Sequence, residues 1–139
     1  MRAHFDAVRA RLNADPGLAG KGHDSAIVDA GGLPVRATYW VLYGGGPDVL
    51  DDGRLASPQA FGSDAEYVYT VRCVSPTADG VRAAATRVLS QMVGFIPIVA
   101  GRTCSPIRLT DVDDVQPDDS ITPPLYFADC ELTLISSRA

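Results

Sequence analysis

Three sets of residues in this chain could do chemistry. They are a glycine run that could hold a phosphate, a few histidines and cysteines that could hold a metal or attack a substrate, and aspartate-rich segments that could hold a cation or move protons. The glycine run is Gly44-Gly45-Gly46-Pro47-Asp48, which follows the strand-like residues Tyr39–Tyr43. A phosphate cradle requires GxGxxG or GxxxxGK[ST] opening a helix. Here no lysine follows, Pro47 removes one of the amides, and Asp48, Asp51 and Asp52 would repel the anion. The run therefore reads as a strand end followed by turns.

The histidines are His4 and His23, with no cysteine or carboxylate at a spacing that closes a tetrahedral metal site. His4 sits beside Phe5 on a helical pattern and is expected to be a partly packed surface residue. Cys73, Cys104 and Cys130 form no CxxC pair and are odd in number, which implies reduced thiols. Cys73 and Cys130 fall inside strand-like runs, where cysteine behaves as a small apolar residue. Asp111, Asp113, Asp114, Asp118 and Asp119 lack the glycine and closing glutamate of a calcium loop, so they read as a solvated acidic segment. There is no GxSxG, and no carboxylate lies in an apolar setting that would tune it for acid–base work. The residues suggest no catalytic, metal or cofactor site, and so no enzyme.

The elements around these residues are clearer. Phe5, Val8 and Leu12 recur at helical spacing until Asp15-Pro16-Gly17 stops the pattern. Residues 18–33 read as a loop that can hold a short strand at Ala26–Val28. Pro34–Tyr43 alternates, with Val35, Ala37, Tyr39, Val41 and Tyr43 on one face and Arg36, Thr38, Trp40 and Leu42 on the other. A second strand, Glu66–Val74, sets Tyr67, Tyr69, Val71 and Cys73 on one face. The two form a hairpin whose connection exceeds the ~12–15 residues usual for a structureless loop.

Ser75-Pro76-Thr77 then caps a helix whose apolar stripe is Val81, Ala84, Ala85, Val88, Leu89 and Met92, closed by Gly94. A short strand at Ile107–Val112, the acidic loop and a last strand at Leu125–Ile135 complete the chain. The last strand turns Tyr126, Ala128, Cys130, Leu132 and Leu134 inward. The order α-β-β-α-β-β predicts a single α+β domain over 1–139: one mostly antiparallel sheet with two helices on one face and a hairpin arm at 44–64. The aromatic residues of the sheet read as core, because Arg36 and Arg72 alone interleave them and base stacking would need a more basic face.

Composition sets outer limits. The 139 residues carry a net charge of −5, which argues against a dedicated nucleic-acid binder. No stretch approaches the ~18 apolar residues of a membrane span, and the amphipathic first helix lacks the apolar centre of a signal peptide, so synthesis in a cytoplasm is expected.

The succession "LNADPGLAGKGHD", "PVRATYWVLYGGGPD", "YVYTVRCVSPTADGVRAAATRVLSQMVGF" and "PLYFADCELTLISSRA" resembles small tail-terminator and tail-completion proteins of long-tailed bacteriophages, especially those of actinobacterial hosts. The similarity covers nearly the whole chain and consists of packing patterns. It implies a non-enzymatic virion protein assembled in the host cytoplasm. Such a protein forms a homo-oligomeric ring, of six copies in this family, that caps the tail tube, ends its polymerisation and docks on the head connector. Its partners would be the tail tube protein and connector proteins, with DNA only as passing cargo. A ring would let the arm at 44–64 bury Val49, Leu50, Leu55 and Phe61 against a neighbouring copy or the tube. Each such burial gains roughly 1.5–3 kcal/mol against about 1–2 kcal/mol per ordered residue, so main-chain pairing with the neighbour would also be needed. Asp48, Asp51, Asp52, Asp113 and Asp114 would then line a bore that repels DNA. The alternatives are a head-closure or head–tail adaptor protein, or a ligand-binding α+β module with a deep polar pocket.

Overall fold

A computed structural model describes residues 2–25, 30–49 and 64–138, for 45–49 the backbone alone. Helix α1 spans Arg2–Asn13 and buries His4, Val8 and Leu12, three residues four apart on one stripe. It ends where Pro16 cannot continue it. The Asp15 carbonyl accepts from the amides of Leu18 (3.0 Å) and Ala19 (2.8 Å), and the Asp15 carboxylate accepts from the Gly17 amide at 2.7 Å. This turn delivers Leu18 into the core.

The short strand β1, Gly22–His23, runs parallel to the start of β2, Tyr39–Val49. β2 pairs antiparallel with β3, Ala65–Ser75, from Tyr39↔Val74 to Val49↔Ala65. Helix α2, Ala78–Met92, follows. The Thr77 side chain caps it by accepting from the Gly80 amide at 3.0 Å, and Gly94 leaves it at φ +84. β4 (Arg102–Cys104), β5 (Arg108–Val112) and β6 (Gln116–Asp118) then pair in turn along one side of β7, Leu125–Arg138. β3 holds the whole other side of β7, from Ser75↔Tyr126 to Ala65↔Ser136. The path through the seven-stranded sheet is β1-β2-β3-β7-β4, with β5 and β6 also on β7.

Alternation decides which face is covered. Tyr67, Tyr69, Val71 and Cys73 of β3 and Ala128, Cys130, Leu132 and Leu134 of β7 meet Val8 and Leu12 of α1 and Val81, Val88 and Met92 of α2 in one core. Both helices therefore lie on one face, and the fold is α+β. A second, smaller cluster of Tyr39, Val41, Val74 and Leu125 sits on the opposite face, where Ile121 and Phe127 pack on it.

Three expectations change. The glycine run is not a strand end: β2 continues through it to Val49, with a register shift between Gly44 and Pro47. The extra residues are accommodated as a bulge, for which Gly44 takes φ +87. Residues 44–49 of the expected arm thus pair with 65–69 of the same chain, and 50–63 lie outside the described residues, as does the strand expected at Ala26–Val28. The pattern starting at Pro34 becomes ladder only at Tyr39, because the preceding residues cross to the turn before β7, where the Arg36 guanidinium donates to the Pro123 carbonyl. The acidic loop contains β6, which β7 is long enough to pair.

Candidate functional site

The most chemical-looking group lies under α1. His4 is 3% exposed and Ser136 is fully buried, a correction to the expected surface histidine. The cause is its position one turn before Val8 on the stripe that α1 presents to the sheet. His4 Nε2 meets Ser136 Oγ at 2.9 Å, and the same oxygen accepts from Arg102 Nε at 2.9 Å while Arg102 Nη2 donates to the Ser136 carbonyl at 2.7 Å. The His4 ring stacks on Tyr67 at 4.2 Å, and Tyr67 on Tyr69 at 6.5 Å.

A serine beside a histidine invites a nucleophile reading. Against it, the Ser136 hydroxyl is already engaged by a guanidinium, and neither side chain reaches solvent. The group is a latch that ties α1 to β4 and β7. Burial lowers the His4 pKa below its ordinary 6.5, and the positive charges of the amino terminus and Arg102 lower it further. His4 is therefore neutral in the fold, and the stability of that neutral form is complete above pH 6.5 and is lost as pH falls below it. Denaturant midpoints measured between pH 7.5 and 5 should fall with pH, and His4→Gln should flatten the slope; an unchanged slope would refute the assignment.

The cysteines follow the same structural logic. Cys73 and Cys130 are buried on neighbouring strands, and Cys104 is half-buried. The Cys130 contact and burial push the Cys73 thiol up, so it stays protonated and inert. Among the described residues no group of three or more His, Cys, Asp or Glu could hold a metal ion. Asp15 is a positioning carboxylate: burial pushes its pKa up, but the Gly17 amide, Gln91 and Arg87 together bring it below the ordinary value. Its partners Arg87 (2.8 Å) and Gln91 (3.2 Å) tie α2 to the turn after α1.

On the uncovered sheet face, Arg72 holds Asp129 through two bonds at 2.8 and 2.9 Å, with its guanidinium 4.8 Å from the Phe127 ring. The pairing with Asp129 raises its pKa further, so the cation is permanent. This is a strut between β3 and β7.

Surface chemistry concentrates elsewhere, at the β5 edge. All five residues of β5 are exposed, including Leu109 and Val112. An open groove of about 530 Å³ runs between α2 and the β5–β6 connection, lined among others by Arg82, Leu89, Val112, Asp113 and Asp114. Val93, Ile96 and Ile98 add apolar surface at the end of α2, and Ile98 is 94% exposed. The Gly94 amide donates to the Ile107 carbonyl and the Ile107 amide to the Phe95 carbonyl, both at 2.9 Å, so this turn lies against the start of β5.

Of the residues expected to contact partners, Val49 and Asp48 stand at the far end of β2, opposite Ala65 and Glu66. Leu50, Leu55, Phe61, Asp51 and Asp52 lie outside the described residues. Asp113 and Asp114 are exposed beside the groove. Leu109, Val112 and Ile98 were not anticipated as surface. Alternation along Arg108–Val112 separates Leu109 from Val112, and only the register shift between Leu109 and Asp111 brings the two to one face, opposite Leu132 and Cys130.

No family model matches this chain, and no curated protein does. Solved structures do share its fold. A chain from the virion of a native gene transfer agent particle superposes with a TM-score of 0.66 at 17% identity, over 95% of this chain and 92% of that one. A second solved chain, which carries no functional name, superposes with a TM-score of 0.61 at 16% identity, over 99% of this chain and 96% of its own.

Proposed function

We propose that this chain is a structural protein of a phage-type virion, and specifically a tail terminator: a ring of copies, six by the family resemblance, that caps the tail tube, ends its polymerisation and joins the tail to the head connector. The observation that carries the reading is the end-to-end fold match with a chain of a gene transfer agent virion, which agrees with a resemblance drawn from the residues alone. The geometry supports a role in assembly more than one in catalysis. The His4–Ser136 contact is sealed in the core, whereas apolar and acidic side chains gather on an open edge. In this role the protein resides in the virion neck, contacts tube and connector subunits, and meets DNA only as it passes. Val49, Leu50, Leu55 and Phe61 remain the proposed contacts of the hairpin end, and Asp48, Asp51 and Asp52 the proposed channel wall.

Deleting the gene from the producing particle tests the reading. Tails of uncontrolled length, unattached to heads, are expected. Tails of normal length that fail to join heads would point to the head-closure alternative, and intact infectious or transducing particles would contradict both.

A further inference from the structure

We propose that α1 carries an acid-sensitive catch: protonation of His4 frees residues 2–7 from the sheet while the last turn of the helix stays docked. The device is independent of the assembly proposed above. It also differs from a general loss of stability at low pH, because the two ends of α1 are held by ties that respond differently to acid.

At the first end the tie is His4, and a charged imidazole finds no partner for its second proton there. Nε2 meets Ser136 Oγ at 2.9 Å, whereas Nδ1 is buried and has no hydrogen-bond partner. A proton on both nitrogens would leave one buried donor without an acceptor. Ser136 Oγ already accepts from Arg102 Nε at 2.9 Å. The groups that face the imidazole from the sheet include no carboxylate. β4 brings Arg102 and Cys104, β7 brings Ser136 with Arg138 in register opposite Arg102, and β3 brings Tyr67 with Tyr69 behind it. Burial pushes both tyrosines up, so they stay neutral. α1 itself has no acidic residue in its first turn, and Asp6 is exposed, held by Arg2 at 3.4 Å. Burial, the amino terminus and Arg102 all oppose a positive His4, as does the positive end of the helix dipole.

At the other end the tie keeps its charge. Val8 and Leu12 are fully buried, and Arg11 Nε donates to the Gln91 carbonyl at 3.1 Å with its guanidinium 4.8 Å from the Phe95 ring. In the turn that follows, the Asp15 carboxylate accepts from Arg87 and Gln91. Burial pushes this carboxyl up, but the Gly17 amide, Gln91 and Arg87 bring it below its ordinary 3.8, so it stays ionised where His4 titrates. Acid therefore acts on one end only, and the hinge falls just before Val8. The closed form binds the His4 proton less well than the open one, so opening grows as pH falls below 6.5. Opening uncovers Ser136 and Tyr67 at the β4 corner of the sheet.

Amide hydrogen exchange of the full chain tests this, read residue by residue and corrected for the intrinsic rate at each pH. The amides of Asp6, Ala7 and Val8 close onto the first turn of α1, and they should exchange about tenfold faster at pH 5.5 than at pH 7.5. They should be less protected than Val88 of α2, and low urea should leave their exchange unchanged, because local opening exposes little surface. His4→Gln, which cannot gain the proton, should abolish the step, with thermal unfolding to verify its fold. The His4 resonances of the wild type give an independent check and should titrate below 6.5. No step at residues 6–8, a step that persists in folded His4→Gln, or a His4 titration at or above 6.5 would overturn the proposal. Protection and urea dependence equal to those of Val88 would overturn it too, since the event would then be ordinary unfolding.

Discussion

Trp40→Ala is expected to cost about 3–5 kcal/mol, enough to leave much of the chain unfolded given a total stability of roughly 5–15 kcal/mol for a domain. Trp40 is 1% exposed and joins three elements at once. Its indole nitrogen donates to the Leu18 carbonyl at 2.9 Å, its amide donates to the Lys21 carbonyl at 3.0 Å, and its ring fills the space where a side chain on Gly22 would stand. Removing it empties the corner between the turn after α1, β1 and β2 and takes one of two hydrogen bonds from the Leu18 carbonyl, which keeps the Lys21 amide at 3.2 Å. Trp40→Phe keeps an aromatic ring but loses the hydrogen bond and the outer ring atoms that face Gly22, so its cost should be about 1–3 kcal/mol. Urea midpoints of the two variants measure both terms. Equal stability of Trp40→Ala and wild type would show that the corner is not built as described.

Gly44→Ala should destabilise by roughly 2–4 kcal/mol, a large effect for one methyl group. Two causes add. Gly44 has φ +87, and a Cβ there would stand 2.4 Å from the backbone oxygen of Val68, which cannot swing aside. Gly20 separates the two: its φ is +73 but the space around it is open, so Gly20→Ala should cost about 1 kcal/mol through conformation alone. A Gly44→Ala variant no worse than Gly20→Ala would mean that the bulge relaxes and the clash is illusory. The pair also tests why three glycines stand in a strand. At Gly44 the reason is close approach of the neighbouring strand, which is different from a phosphate cradle and from a turn.

Much of the fold was legible because its signals are local. The period-two runs of β3 and β7 name their buried faces residue by residue, and Thr77, the α2 stripe and Gly94 mark a helix by capping chemistry that works at short range. What escaped depends on contacts distant in sequence. His4 looks like an exposed helical residue until Ser136, 132 positions away, is brought beneath it. β1, β4 and β6 are two or three residues long, and they are strands only because β2 and β7 offer them edges. The continuation of β2 through glycine and proline depends on β3 extending to Ala65 to meet it. The exposed β5 edge was the least legible part. Leu109 and Val112 are three apart and share a face only through a register shift that depends on pairing with β7.

The contacts proposed for Leu50, Leu55 and Phe61 need another copy or the tube, and they predict that the isolated protomer is the incomplete form. The mass of the purified chain in solution, followed from low to high concentration, tests this most directly. A discrete closed species at an integral multiple of 14.7 kDa, six by the family reading, with ring-shaped particles in negative stain, is the expected result. A single 14.7 kDa protomer at every concentration, with no rings, would contradict the account.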